Sequence, residues 1–131
     1  MTAARILIIE DNPLNLELVT DLLQAGGFNV SSASTAEDGL RMACELLPDL
    51  VLMDFSLPGM DGMSATRKLK ENPATRHLAV VALTAHAMRG DEAIALNAGC
   101  DGYVTKPVDT RTFVATVANY IAAAHARNHN P

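Results

Sequence analysis

Five short apolar runs alternate with five stretches of helical spacing along these 131 residues, and that order leaves few folds open. The clearest run is Leu50-Val-Leu-Met-Asp54, followed by a turn-rich segment containing Pro58, Gly59 and Gly62. Unbroken apolar residues between turn signals are the pattern of a parallel strand buried on both faces. Arg5 to Glu10, Asn29 to Ala33, Ala79 to Leu83 (reaching Thr84) and Gly102 to Thr105 supply the other four. Right-handed crossovers and short loops then predict an α/β fold: a flavodoxin-like, doubly wound, five-stranded parallel sheet of order 2-1-3-4-5 with five helices. Residues 1–131 read as a single domain.

Local signals place the helices. Asn12 can cap a helix that begins at Pro13, with Leu14, Leu18, Val19, Leu22 and Leu23 in helical spacing and Gly26-Gly27 as the stop. Thr35, with Glu37 and Asp38 behind it, starts a second helix; Leu40, Ala43, Cys44 and Leu47 share its inner face, and Pro48 ends it. A third runs from Met63 to about Lys70, with Arg67, Lys68 and Lys70 turned to solvent. A fourth covers Asp91 to Ala98 before Gly99. The last begins near Asp109, buries Phe113, Val114, Val117 and Ile121, and gives way to a polar tail over 125–131.

Composition narrows the function classes. A net charge of −5 argues against direct nucleic-acid binding and anionic membranes, both of which demand a cationic surface. No apolar run approaches the roughly 18 residues of a membrane span, and no leader pattern precedes the first strand, so a cytoplasmic protein is expected. Cys44 and Cys100 stand apart and read as small buried hydrophobes. His77, His86, His125 and His129 lack metal-ligand spacing.

Ligands of open α/β sheets bind at the carboxyl ends of the strands, and there the chain places Glu10 and Asp11, Asp54, Thr84, and Lys106. Strands one, three, four and five are neighbours in the expected order, so these groups converge. Three clustered carboxylates need a cation, and hard oxygen ligands with positions left for water suit Mg²⁺. Beside such a cation Asp54 can serve as nucleophile toward a phosphoryl group, whose oxygens would then meet the Thr84 hydroxyl and the Lys106 ammonium.

With Glu10-Asp11-Asn12, Leu52-Met53-Asp54, Leu57-Pro58-Gly59-Met60-Asp61-Gly62, Leu83-Thr84-Ala85 and Tyr103-Val104-Thr105-Lys106-Pro107 in order and spacing, the chain resembles the receiver domains of two-component response regulators from Arg5 to about Ala123. It is most similar to the single-domain cell-division regulators and the receivers of hybrid kinases, notably through Ala85-His86-Ala87-Met88-Arg89-Gly90-Asp91-Glu92. The resemblance implies a phosphoacceptor signalling protein, with Asp54 accepting a phosphoryl group from the phosphohistidine of a kinase or phosphotransfer protein. It further implies Mg²⁺ held by Glu10, Asp11, Asp54 and the backbone carbonyl of Ser56, Thr84 and Tyr103 as switch residues, and Lys106 paired with the phosphoryl group. A cis Lys106-Pro107 bond, control of phosphoryl lifetime by Ser56 and His86, and docking of the partner on Pro13, Leu14, Leu16 and the Pro107 loop belong to the same implication. The output would be a changed surface that binds a downstream protein or passes the phosphoryl group along a relay. Met1 and the short tail suggest a stand-alone receiver, the alternative being a receiver cut from a hybrid kinase.

An enzyme of the haloacid dehalogenase type also forms an aspartyl-phosphate, but it needs a second Asp two residues after the nucleophile, where this chain has Ser56. A flavodoxin would need a Ser/Thr- and Gly-rich phosphate loop after strand one, where this chain has acids.

Overall fold

A computed structural model describes residues 3–55, 62–84 and 91–129. Its elements run β1 (Arg5–Ile9), α1 (Pro13–Ala25), β2 (Asn29–Ala33), α2 (Ala36–Leu46), β3 (Leu50–Asp54), α3 (Gly62–Glu71), β4 (Ala79–Thr84), α4 (Asp91–Ala98), β5 (Gly102–Thr105) and α5 (Phe113–His129). All strand pairs are parallel and the order is β2-β1-β3-β4-β5, as the alternation of runs predicts.

The central strands show why their sequences lack an alternating pattern. Successive side chains point to opposite faces, and both faces are covered. Leu7, Ile9, Val51, Met53, Val80 and Ala82 pack with α2, α3 and α4 through Ala36, Ala43, Ala65, Leu69 and Ala95. Ile6, Ile8, Leu50, Leu52, Val81 and Leu83 face the other way, against Val19 and Leu23 of α1 and Phe113, Val117 and Ile121 of α5. Full burial of each large side chain stabilises the fold by about 1.5–3 kcal/mol relative to exposure. These residues thus fix the register that aligns the strand ends.

The caps follow the sequence signals. Asn12 Oδ1 accepts the N–H groups of Leu14 (2.9 Å) and Asn15 (3.2 Å), and Thr35 Oγ1 accepts that of Asp38 (3.1 Å). Gly39 lets α2 lie directly on β1, because a methyl group there would overlap the buried side chain of Ile9.

Four expectations need correction. Leu47 and Cys44 do not join the inner face of α2. The helix stops at Leu46, Leu47 turns left-handed (φ 46°) ahead of Pro48, and the buried stripe is Ala36, Gly39 and Ala43, which leaves Cys44 exposed one position around the helix. Lys70 does not face solvent: its ammonium is drawn to Asp101 at 3.0 Å and donates to the Leu78 carbonyl at 2.8 Å. The last helix begins at Phe113, not Asp109, because Asp109 instead starts a turn, its carboxylate accepting the Arg111 N–H and its carbonyl that of Phe113. At the other end α5 continues to His129, where a polar tail was expected from residue 125.

The two thiols should differ in reactivity. Cys100 is buried, and burial above all, with the Asp101 charge added, pushes its thiol up to about 11 against the opposing contact with Thr66. A thiol-exchange reagent at pH 8 should therefore modify one thiol per native chain rapidly and two in denaturant. Two equally fast native thiols would contradict this packing.

Candidate functional site

Register carries the acidic groups to one rim of the sheet. Ile9 pairs with Met53, so Glu10 follows β1 where Asp54 ends β3; Asp54 pairs with Leu83, and Thr84 ends β4 opposite Thr105. The Lys106 N–H donates to the Thr84 carbonyl at 2.7 Å, which holds the first residue after β5 against the end of β4. The following Lys106-Pro107 peptide bond is cis.

Behind this rim, α3 closes on the strand end. A methyl group on Gly62 would lie 2.6 Å from the Asp54 carbonyl oxygen and 2.7 Å from the Phe55 ring, so only glycine allows that approach. The Phe55 N–H donates to the Leu83 carbonyl at 3.0 Å and extends the ladder one residue past Asp54.

Glu10, Asp11 and Asp54 each bring a carboxylate oxygen within 4.8 Å of the others. Glu10 and Asp54 are each only 1% exposed, whereas Asp11 is exposed. Lys106 Nζ stands between the two buried acids, 3.0 Å from Glu10 Oε2 and 3.1 Å from Asp54 Oδ1. Glu10 Oε1 accepts the Asn12 N–H at 3.1 Å, so the residue that caps α1 also fixes the acid. Glu10 Oε2 has Lys106 as an ionic partner but no aligned hydrogen-bond donor among the described residues.

The electrostatics follow from burial and proximity. Desolvation first, and then a hydrogen bond shared with Asp54, raise the Glu10 carboxyl above its ordinary value, against the pull of Lys106 and the Asn12 N–H. Burial works against the Lys106 ammonium, but its close contacts with Glu10 and Asp54 and their charges outweigh it, so its proton is held more tightly than usual. The rim is thus short of positive charge even with Lys106 in place. A buried carboxylate oxygen with an ionic partner but no aligned hydrogen bond, beside two more carboxylates, fits a divalent cation with oxygen ligands.

Thr84 is buried at the end of β4. Tyr103 is half-buried on β5 and packs on the core layer shared with α3 and α4. Between β5 and α5 a shallow cavity of about 380 Å³ is lined by Tyr103, Thr105, Pro107, Phe113, Thr116 and Tyr120 among others. Ser56, His86 and the Leu57 to Asp61 motif lie outside the described residues. Leu14, on the first turn of α1, is 76% exposed, not in the core position that helical spacing suggests; the buried residues of α1 are Val19 and Leu23.

Removing Lys106 should expose the repulsion it masks. Lys106→Met should lower stability by about 3 kcal/mol at pH 8, since breaking a buried charge cluster leaves uncompensated charge. Because the Glu10 carboxyl is raised, its charged form is the costly one: stability gained by protonation is present at low pH and lost as pH rises through the raised value. The deficit should therefore shrink at pH 5. Urea unfolding at both values checks this, and an equal or larger deficit at pH 5 would contradict it.

Comparison with known proteins agrees with this geometry. The family model for the response regulator receiver domain matches residues 6–118. The polar-differentiation response regulator DivK of Brucella ovis is 39% identical over 119 residues, covering 91% of this chain and 97% of that protein. The receiver domain of a sensor histidine kinase from Pseudomonas aeruginosa, solved with a magnesium ion coordinated in its active-site cleft, is 32% identical with a TM-score of 0.85, covering 92% of this chain and 98% of the other. A response regulator from Chloroflexus aurantiacus is 28% identical with a TM-score of 0.88, at the same coverage.

Proposed function

The chain belongs to the response regulator receiver domain family, and on that premise we propose that Asp54 is its phosphoryl acceptor and that the phosphorylated form presents a changed surface to a protein partner. One observation carries the reading: three carboxylates at the carboxyl ends of β1 and β3 meet at one rim, with the ammonium of Lys106 between the two buried ones.

Glu10, Asp11 and Asp54, with the backbone carbonyl of Ser56, would hold Mg²⁺, a reading supported by the oxygen-rich, cation-poor rim and by the magnesium-bound receiver of similar fold. When bound, the ion screens the carboxylates from an incoming phosphoryl group and offsets charge on that group's oxygens. The protein's own residues do the remainder. An Asp54 carboxylate oxygen attacks phosphorus of a phosphohistidine, the new O–P bond forms as the P–N bond breaks, and the imidazole leaves with the electron pair. Lys106 then exchanges one of its carboxylate partners for a phosphoryl oxygen, and the Thr84 hydroxyl donates to another.

Movement of Thr84 opens room beneath the neighbouring β5, where half-buried Tyr103 turns inward and alters the face from α4 to α5. This is a shift between two packings, biased by contacts that only the phosphorylated form makes. The donor, a histidine kinase or phosphotransfer protein, docks on the exposed apolar first turn of α1 around Leu14 and on the Pro107 loop. No helix among the described residues is long and apolar enough to cross a membrane, and we place the protein in the cytoplasm.

With Mg²⁺ and acetyl phosphate the protein should acquire one acid-stable, alkali-labile phosphoryl group, and Asp54→Asn should acquire none. Undiminished labelling of Asp54→Asn would overturn the assignment. Lys106→Ala should still be stabilised by Mg²⁺ in thermal unfolding yet show no change in partner affinity on addition of phosphodonor; an intact change would remove Lys106 from the switch.

A further inference from the structure

The family match ends at residue 118, yet α5 continues to His129, and the added turns are not idle. Their polar side chains reach three loops at the opposite rim from the carboxylates, each one leading into a different strand. His125 Nε2 lies 3.0 Å from Asp49 Oδ1, just before β3. Arg127 Nη2 lies 3.1 Å from Asp101 Oδ1, just before β5. Asn128 Nδ2 donates to the His77 carbonyl at 2.9 Å, just before β4.

The receiving groups are already fixed. Asp49 Oδ2 accepts the Arg5 N–H at 2.7 Å, and the Arg5 guanidinium donates to the Leu47 carbonyl at 3.1 Å. Asp101 is 15% exposed; its Oδ2 accepts the Val80 N–H at 2.8 Å and lies 3.0 Å from Lys70 Nζ. On the inner side of the same turns, Ile121 and Ala124 are buried.

From this arrangement we infer that the last turns of α5 form a clasp, locking the end of the helix to the entry loops of β3, β4 and β5. His125 and Arg127 are about half exposed, so each pair alone is weak. Here the three side chains project from one helix onto prepositioned acceptors, so ordering the helix for one contact serves the other two. The clasp is why residues 125–129 stay helical, and it joins α5 to the sheet where the family match has already ended.

The test is amide hydrogen exchange on the full chain carrying His125→Ala, Arg127→Ala and Asn128→Ala together. Alanine is the strongest helix former, so local propensity alone predicts equal or greater protection from Ala122 to Asn128. The clasp predicts the reverse, a loss of about tenfold across that span, with Thr116 to Tyr120 unchanged. Unchanged or increased protection in the last turns would overturn the proposal. No phosphodonor enters the measurement, so its outcome is independent of the role proposed for Asp54.

Discussion

The ammonium of Lys106, held 3.0 Å from Glu10 and 3.1 Å from Asp54, is the contact on which the working end of the protein depends. Two carboxylates buried to 1% exposure cannot both remain charged beside each other without a cation. The fold meets that demand with one residue placed just after β5 and anchored by its backbone to Thr84. Since an ammonium is a single positive charge and Asp11 adds a third acid, the rim still favours a divalent ion. That residual imbalance makes the same groups both a structural constraint and the site proposed for phosphoryl transfer.

The core provides the precision this requires. Each central strand is clamped between two helical layers, so a slip of one residue would exchange its two faces and misalign its end. The pairings of Ile9 with Met53 and of Asp54 with Leu83 therefore decide where Glu10 and Asp54 stand on the rim. The opposite rim is secured differently. Asp101 gathers Lys70, Arg127 and the Val80 N–H, so helices and strand entries are tied there by polar contacts.

Much of this was legible in the sequence because burial on both faces leaves continuous apolar runs, and the residue ending each run is the one delivered to the rim. Glu10, Asp54, Thr84 and Lys106 stand at or just beyond such ends, and Asn12 and Thr35 carry cap signatures that depend on neighbours in sequence. What escaped depends on partners distant in the chain. Lys70 looks solvent-facing until Asp101, on the approach to β5, is brought beside it. The end of α5 reads as a fraying tail because Asp49, His77 and Asp101 are remote in sequence from residues 125–128. Leu47 departs from the helical spacing for a local reason, since the chain turns left-handed there, one residue before Pro48.

The central claim concerns one oxygen atom's worth of chemistry at Asp54. After phosphorylation by acetyl phosphate with Mg²⁺, borohydride reduces an aspartyl-phosphate to homoserine, and peptide mass spectrometry locates the converted residue. The account predicts homoserine at position 54 and unmodified residues at Glu10, Asp11 and Thr84. Reduction at Glu10 or Asp11, or a borohydride-resistant phosphate on Thr84, would contradict it.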